Sequence, residues 1–413
     1  MRVLHSSDWH LGRNLYKNKR YDEFEAFLNW LVETIKEERV DVLLLAGDIF
    51  DTVMPDNLSQ TLYYNFLKSV AKTACRHVVI VAGNHDSASF LNAPRKVLSL
   101  LNTWVVGSAS EDVSEEVLLL RDPDGAVELI VCAVPYLRRG DIYESVAGES
   151  AEDKERSYRE GIAAHYKMVA DVAEQARERH GGDIPVVAMG HLFAQGGKTM
   201  DGDGVRDLYV GSLGYIGADA FSENFDYVAL GHLHIAQRVG LRENIRYSGS
   251  PIPMGFGEAT QTKTMRLLEF EGRTLQQSDI EVPRFQALES IRGNVQEILE
   301  RIQALKEAGS DAWLEVVYNG EEEVADLNEI IQSELGASKL QVLKVLNERR
   351  IKRMAISDAQ GDLEQLDVYD IFERLLDSKG IVEQQRVELR RSYRELVVAI
   401  LEEDVNKGGG SLD

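Results

Sequence analysis

"DVLLLAGDIFD", residues 41–51, runs without a break through Val, Leu and Ala and then turns polar at Gly47 and Asp48. A short run of this kind, with no alternation of apolar and polar residues, suits a strand buried on both faces. The same design recurs in "HVVIVAGNHDS" (77–87), "ELIVCAVPY" (128–136), "IPVVAMGHL" (184–192) and "YVALGHLH" (227–234), and in the opening stretch that leads into "LHSSDWHLG" (4–12). Between the runs lie stretches of helical period, "YDEFEAFLNWLVETIKEE" (21–38), "LSQTLYYNFLKSVAKTA" (58–74) and "SYREGIAAHYKMVADVAEQARER" (157–179). Strands alternating with helices of this length predict a layered α/β architecture, with helices covering the sheet. The stretches around 241–258 and 263–282 read instead as hairpin strands that finish the domain.

The chain has 413 residues, long for one core, so more than one domain is expected. All nine histidines lie at or before position 234, and near Pro283 the texture changes. Residues 1–283 read as one domain. A smaller α+β module follows at 284–348, with a helix in "SIRGNVQEILERIQALKEA", a strand in "AWLEVVYNG", a second helix in "VADLNEIIQSEL" and a strand in "KLQVLKVLN". Residues 349–366 read as a linker, 367–405 as two amphipathic helices, and 406–413 as a disordered tail. Cys75 and Cys132 sit in or beside apolar runs, as inert buried thiols in a reducing compartment. Neither a leader segment nor an apolar run of about 18 residues is present, so a cytoplasmic protein without membrane attachment is expected. The net charge of -23 excludes a broad basic surface for nucleic acid. Any contact with phosphates must be local.

Every core run except 128–136 ends in residues able to bind a metal: Asp8 and His10, Asp48, Asn84 and His85, His191, then His232 and His234. In open α/β sheets such residues gather in the crevice at the carboxyl ends of the strands. Packed together without cations, they would suffer desolvation and mutual repulsion. Imidazole, carboxylate and amide oxygen without thiolate suit a divalent ion such as Mn, Fe or Zn. The donors exceed one coordination sphere, which points to a two-metal centre of the kind used on phosphate esters.

The series "DWH", "GDIFD", "GNHD", "GH" and "GHLH" resembles the calcineurin-like metallophosphoesterases, whose pattern is D-x-H, G-D-x-x-D, G-N-H-[DE], G-H and G-H-x-H in that order. "SDWHLG", "GNHDS" and "GSPIPMGFGE" are closer still to bacterial nuclease subunits of this superfamily that act with a coiled-coil ATPase, counterparts of the double-strand-break repair nuclease. The resemblance implies a β-sandwich flanked by helices, with a smaller capping domain and C-terminal helices. It implies that Asp8, His10, Asp48 and His234 hold one divalent ion and Asp48, Asn84, His191 and His232 the other, with manganese preferred over Mg, Fe or Zn. His85 then faces the scissile phosphate, and Asp86 orients it.

The implied reaction is hydrolysis of DNA phosphodiester bonds by an activated water, as a double-strand exonuclease and a single-strand or hairpin endonuclease, in DNA end processing, repair and recombination. Protein phosphatases of the superfamily carry "GDxxDRG" and "GNHE", whereas Thr52 stands here at the Arg position and the third motif is "GNHD". In "RNLYKNKR" (13–20), Arg13, Lys17, Lys19 and Arg20 are candidates for the DNA backbone and Tyr16 for stacking on a base. The loops at 138–141 and 198–207 are further candidates. An ATPase partner would supply the attraction to DNA that the acidic chain lacks, docked on the helices of 367–405 in an assembly of two nuclease and two ATPase chains. A homodimer through Leu62, Tyr63, Phe66, Leu67, Phe90, Leu91, Val97 and Leu98 is expected. A non-nucleolytic phosphodiesterase and a metal-stabilised scaffold for the ATPase are the alternatives.

Overall fold

The computed structural model describes residues 1–142, 150–194, 216–322, 324 and 326–348. The loop at 198–207, the linker, the terminal helices and the tail expected from the sequence lie outside the described residues. The chain divides into two units, Met1–Phe285 and a second that starts at Gln286.

In the first unit β1 (Arg2–Ser6), β2 (Val42–Ala46), β3 (His77–Val81) and β4 (Thr103–Val106) lie parallel and side by side. A second sheet holds β5 (Val117–Arg121), β6 (Val127–Ala133), β7 (Val186–His191), β8 (Tyr227–Gly231), β9 (Gln237–Val239) and β10 (Arg242–Tyr247). There β6, β7, β8 and β10 run parallel, with β5 and β9 antiparallel at the edges. The hairpin of β11 (Thr264–Glu271) and β12 (Thr274–Glu281) returns to the first sheet, antiparallel to β1. Each sheet is thus six-stranded, in the orders β12-β11-β1-β2-β3-β4 and β9-β10-β8-β7-β6-β5.

The sheets face each other across one apolar layer, where Val3, Leu44 and Val79 meet Leu129, Val131, Val187 and Ala229. Helices α1 (Tyr21–Glu37) and α2 (Asn57–Val70) cover the outer face of the first sheet through Phe24, Phe27, Leu31, Tyr63 and Phe66. Helix α3 (Ala151–His180) covers the second through Ile162, Tyr166, Val169 and Ala173. A strand between a helix layer and another sheet has no wet face, which is why the runs do not alternate. The segment after β3 forms two short helices, Ala88–Asn92 and Arg95–Leu98, divided at Pro94, and leads into β4.

The second unit is a parallel sheet of β13 (Leu288–Gly293), β14 (Trp313–Tyr318) and β15 (Gln341–Asn347), joined by α4 (Val295–Glu307) and α5 (Leu327–Leu335). Its core is formed by Ile291, Ile298, Ile302, Leu314, Val316 and Ile331. The helix expected from Ser290 starts later. Asn294 caps it, accepting from the Glu297 amide while the Glu297 side chain accepts from the Asn294 amide, and this box separates β13 from α4.

Candidate metal centre

Parallel strands bring one end of each sheet to the same place. Asp8 and His10 follow β1, Asp48 follows β2, Asn84 and His85 follow β3, His191 ends β7, and His232 and His234 follow β8. The turn after β1 is stitched to the turn after β2: the amides of Asp8, His10 and Leu11 donate to the carbonyls of Gly47, Asp48 and Ile49 at 3.0, 3.0 and 2.9 Å. Between the two ligands Trp9 points the other way, into the core, 5.6 Å from Phe27 and 5.1 Å from Phe66 between ring centres. Asp8, His10, Asp48 and His232 all have left-handed backbone, at φ of 54, 48, 50 and 104°. Non-glycine residues hold that conformation at a cost, and it clusters at functional sites.

Asp8, His10 and His234 form one group of ligand atoms and Asp48, His191 and His232 a second, while His10 also groups with Asp51 and His85, each within 4.8 Å. Asp48 Oδ2 lies 3.2 Å from His191 Nε2 and 3.6 Å from His10 Nε2, between the groups. Asn84 Oδ1 is 3.0 Å from both His191 Nε2 and His232 Nδ1. Asp8 Oδ1 accepts the His232 amide at 2.9 Å, and Ser7 donates to its other oxygen.

The donors fit cations. His191 Nδ1 lies 2.9 Å from the Ala46 carbonyl and donates to it, so Nε2 is the atom aimed at the oxygens of Asp48 and Asn84, where a bound ion would take the place of its proton. The Nδ1 atoms of His10 and His234 face carboxylate oxygens of Asp51 and Glu258 at 3.2 and 3.3 Å. With both rings protonated at Nδ1 alone, their Nε2 atoms would meet at 3.2 Å lone pair to lone pair. Such contacts repel unless a cation stands among them. Burial lowers His10 to about 4 and His232 to about 3, the neutral form that ligates a metal. Burial alone would raise Asp48, but the neighbouring histidines, His191 foremost, hold it well below the usual carboxylate range. The same pairing lifts His191 to about 9 against its burial. Both thiols are elsewhere and buried, and burial raises Cys75 to about 12.

His85 lies beside the first group, its ring 4.8 Å from that of His10 and nearly perpendicular to it. Its Nδ1 is 2.9 Å from the Asp51 carbonyl, and its amide donates to Asp48 Oδ1 at 2.9 Å. Asp86 takes a different place from the one expected. Fully buried, it accepts the amides of Gly83, Ile49 and Phe50 at 2.9, 3.1 and 3.0 Å, pinning the turns after β2 and β3 together. It is the Asp51 carbonyl that holds the His85 ring.

The candidate DNA contacts divide. Tyr16 is about half exposed and stacks on Phe256, Lys17 and Lys19 are exposed, and Arg13 reaches Asp51 at 3.2 Å. Arg20 is buried: it pairs with Glu23 at 2.7 Å and donates to the Pro253 carbonyl at 2.7 Å, which removes it from any DNA surface. Tyr63, Phe66, Leu67, Leu91 and Leu98 of the expected dimer surface lie in the core, while Val97 is exposed. Sequence reasoning gave no role to Asp51, although "GDIFD" contains it, nor to Glu258 and Lys263, whose return to His234 no local spacing announces.

A two-sheet sandwich with helices outside and a buried Asp, Asn and His cluster at converging strand ends defines a metal-dependent phosphoesterase. The model of the calcineurin-like phosphoesterase family matches residues 1–236, and a model described as the type 5 capsule protein repressor C-terminal domain matches 284–379. The chain is 35% identical to SbcD, the D component of the nuclease SbcCD, of Escherichia coli K12 over 95% of this chain and 97% of that protein. It is 34% identical to the protein of that name from Rhodobacter capsulatus, covering 66% and 67% of the two chains, and 30% identical to that from Bacillus subtilis, covering 65% and 66%. The chain belongs to the calcineurin-like phosphoesterases and, within them, to the SbcD family.

Proposed function

We propose that the chain is the metal-dependent DNA nuclease of an SbcCD-type complex, cutting double-strand ends exonucleolytically and single strands or hairpins endonucleolytically in DNA repair and recombination. The observation that carries this reading is the convergence of the Nε2 atoms of His10 and His191 on Asp48, with His85 beside them and tied to a carbonyl. In this reading Asp8, His10, Asp48 and His234 hold one divalent ion, and Asp48, Asn84, His191 and His232 the other, manganese in the cell. When bound, the ions polarise the phosphodiester and lower the pKa of the attacking water.

The side chains do the rest. Asp48, whose Oδ2 lies between His10 and His191, would serve both sites. With its Nδ1 held by the Asp51 carbonyl, His85 presents Nε2 to the substrate, where a protonated ring gives its proton to the leaving oxygen. Asp86 acts behind it, holding the turn that carries Asn84 and His85. Arg13, Lys17 and Lys19 meet the DNA backbone and Tyr16 a base. A coiled-coil ATPase of the SbcC type completes a cytoplasmic assembly of two nuclease and two ATPase chains, and offsets the acidity of this one. The nuclease chains pair through the exposed apolar residues of the first unit, Leu58, Val97, Leu100 and Leu101 among them.

The test is cleavage of linear and hairpin-ended duplexes in manganese, with and without the ATPase, beside a small phosphodiester and a phosphopeptide. The wild-type chain should cut DNA. His85→Ala should bind two ions and lose cleavage by about 100-fold or more, and Asp48→Ala should lose both ions and all activity. Hydrolysis of the small esters alone, or cleavage retained in either variant, overturns the assignment.

A further inference from the structure

The loop after β10 returns to the metal centre at one residue. Gly249, at φ 75°, lets the backbone come against His234: a Cβ there would lie 2.8 Å from the His234 carbonyl and 2.7 Å from the Ala236 amide. The Ser250 amide donates to that same carbonyl at 3.2 Å. Arg20 holds the far side of the loop through the Pro253 carbonyl at 2.7 Å. Glu258 closes the loop, with no exposed surface.

The Glu258 carboxylate is divided between two tasks. Oε2 accepts the Met254 amide at 3.0 Å and the Ser250 hydroxyl at 3.3 Å, and pairs with Lys263. Oε1 faces His234 Nδ1 at 3.3 Å and makes no aligned hydrogen bond to any group among the described residues. Lys263, itself buried, donates to the His234 carbonyl and to Ser250 Oγ, both at 3.0 Å. A buried carboxylate and ammonium are costly unless paired and hydrogen-bonded. Here both are, and the one oxygen left over points at a ligand ring.

We infer that Glu258, balanced by Lys263, is a positioning residue for the first ion site, holding His234 with its proton on Nδ1 and its lone pair on Nε2 turned to the ion. The inference rests on the two-ion reading given above. A carboxylate behind a ligating imidazole fixes the tautomer and raises ligand basicity, and losing it lowers metal affinity by about 10- to 100-fold. Asp51 stands behind His10 in the same way, at 3.2 Å, so both Nε2 atoms are aimed at one point.

The experiment titrates manganese into the metal-stripped full chain by calorimetry and by electron paramagnetic resonance, using wild type, Glu258→Gln, Lys263→Met and the double variant. The double variant removes both charges together, leaving the buried net charge unchanged, and so separates positioning from folding. Wild type should bind two ions and give the spectrum of an interacting pair. In the double variant, one ion should bind about 10- to 100-fold more weakly, the other should keep its affinity, and a mononuclear spectrum should appear at substoichiometric loading. A double variant that binds both ions as wild type does overturns the positioning role and leaves the two-ion centre standing. Fewer than two ions in wild type overturns the centre and this inference with it.

Discussion

At Gly47 and Gly83 a ligand occupies the space that a Cβ would take. A Cβ on Gly47, whose φ is 87°, would run into the His191 ring, and one on Gly83 would meet the carboxylate and the amide of Asp48. Gly83 needs no left-handed backbone, so its requirement is one of room alone. In Gly83→Ala the added methyl meets the Asp48 amide as well as its carboxylate, so the turn after β2 must shift and carry Asp48 from its position between the two ligand groups. A displacement of about 1 Å at such a residue costs about 100-fold in rate. The check is a kcat measurement at saturating manganese beside the melting temperature of the metal-free protein: activity should fall, and the melting temperature with it, because the backbone of the turn must move. Unchanged activity would mean that Asp48 has slack its surroundings do not show.

The turn after β1 does two jobs, sending Asp8 and His10 to the metal centre and Trp9 into the core. Trp9 has no exposed surface, and its ring N–H donates to Ser6 Oγ at 2.9 Å. Trp9→Ala should cost about 3–5 kcal/mol, the range for emptying a buried aromatic site, measured by denaturant unfolding in EDTA so that metal binding does not contribute. Elements of this kind were legible from sequence where burial on both faces made a continuous apolar run ending in a ligand. The parallel strands β1, β2, β3, β7 and β8, and with them every ligand candidate, follow that rule. β13 was hidden because its ends merge with a helix-like pattern, and only the Asn294 to Glu297 box divides the two. Glu258 and Lys263 were hidden for another reason: their contacts with His234 are made by a loop whose path follows from Gly249 and Arg20, neither of which carries a periodic signal. Arg20 itself read as a surface cation because its neighbours Lys17 and Lys19 are exposed; its burial follows from Glu23, one helical turn on.

Across the whole molecule, charge links stability to metal. The chain carries -23, and in the first unit Asp8, Asp48, Asp51 and Glu258 crowd around five imidazoles in a buried space. Repulsion among surface carboxylates is screened by salt over a Debye length of about 8 Å at physiological ionic strength, whereas a buried cluster is screened far less. Removing divalent ions should therefore lower the melting temperature of this unit by several degrees, and about 0.5 M sodium chloride should not restore it. Manganese should. An ion at about 100 times its dissociation constant adds about 2.7 kcal/mol to the folded state. Hydrogen exchange locates the effect: protection gained on adding manganese should concentrate at the amides of Asp8, His10, His85 and His232, which bond Gly47, Asp48 and Asp8 around the site. Recovery by salt alone would assign the destabilisation to the acidic surface and remove metal from the stability of the fold.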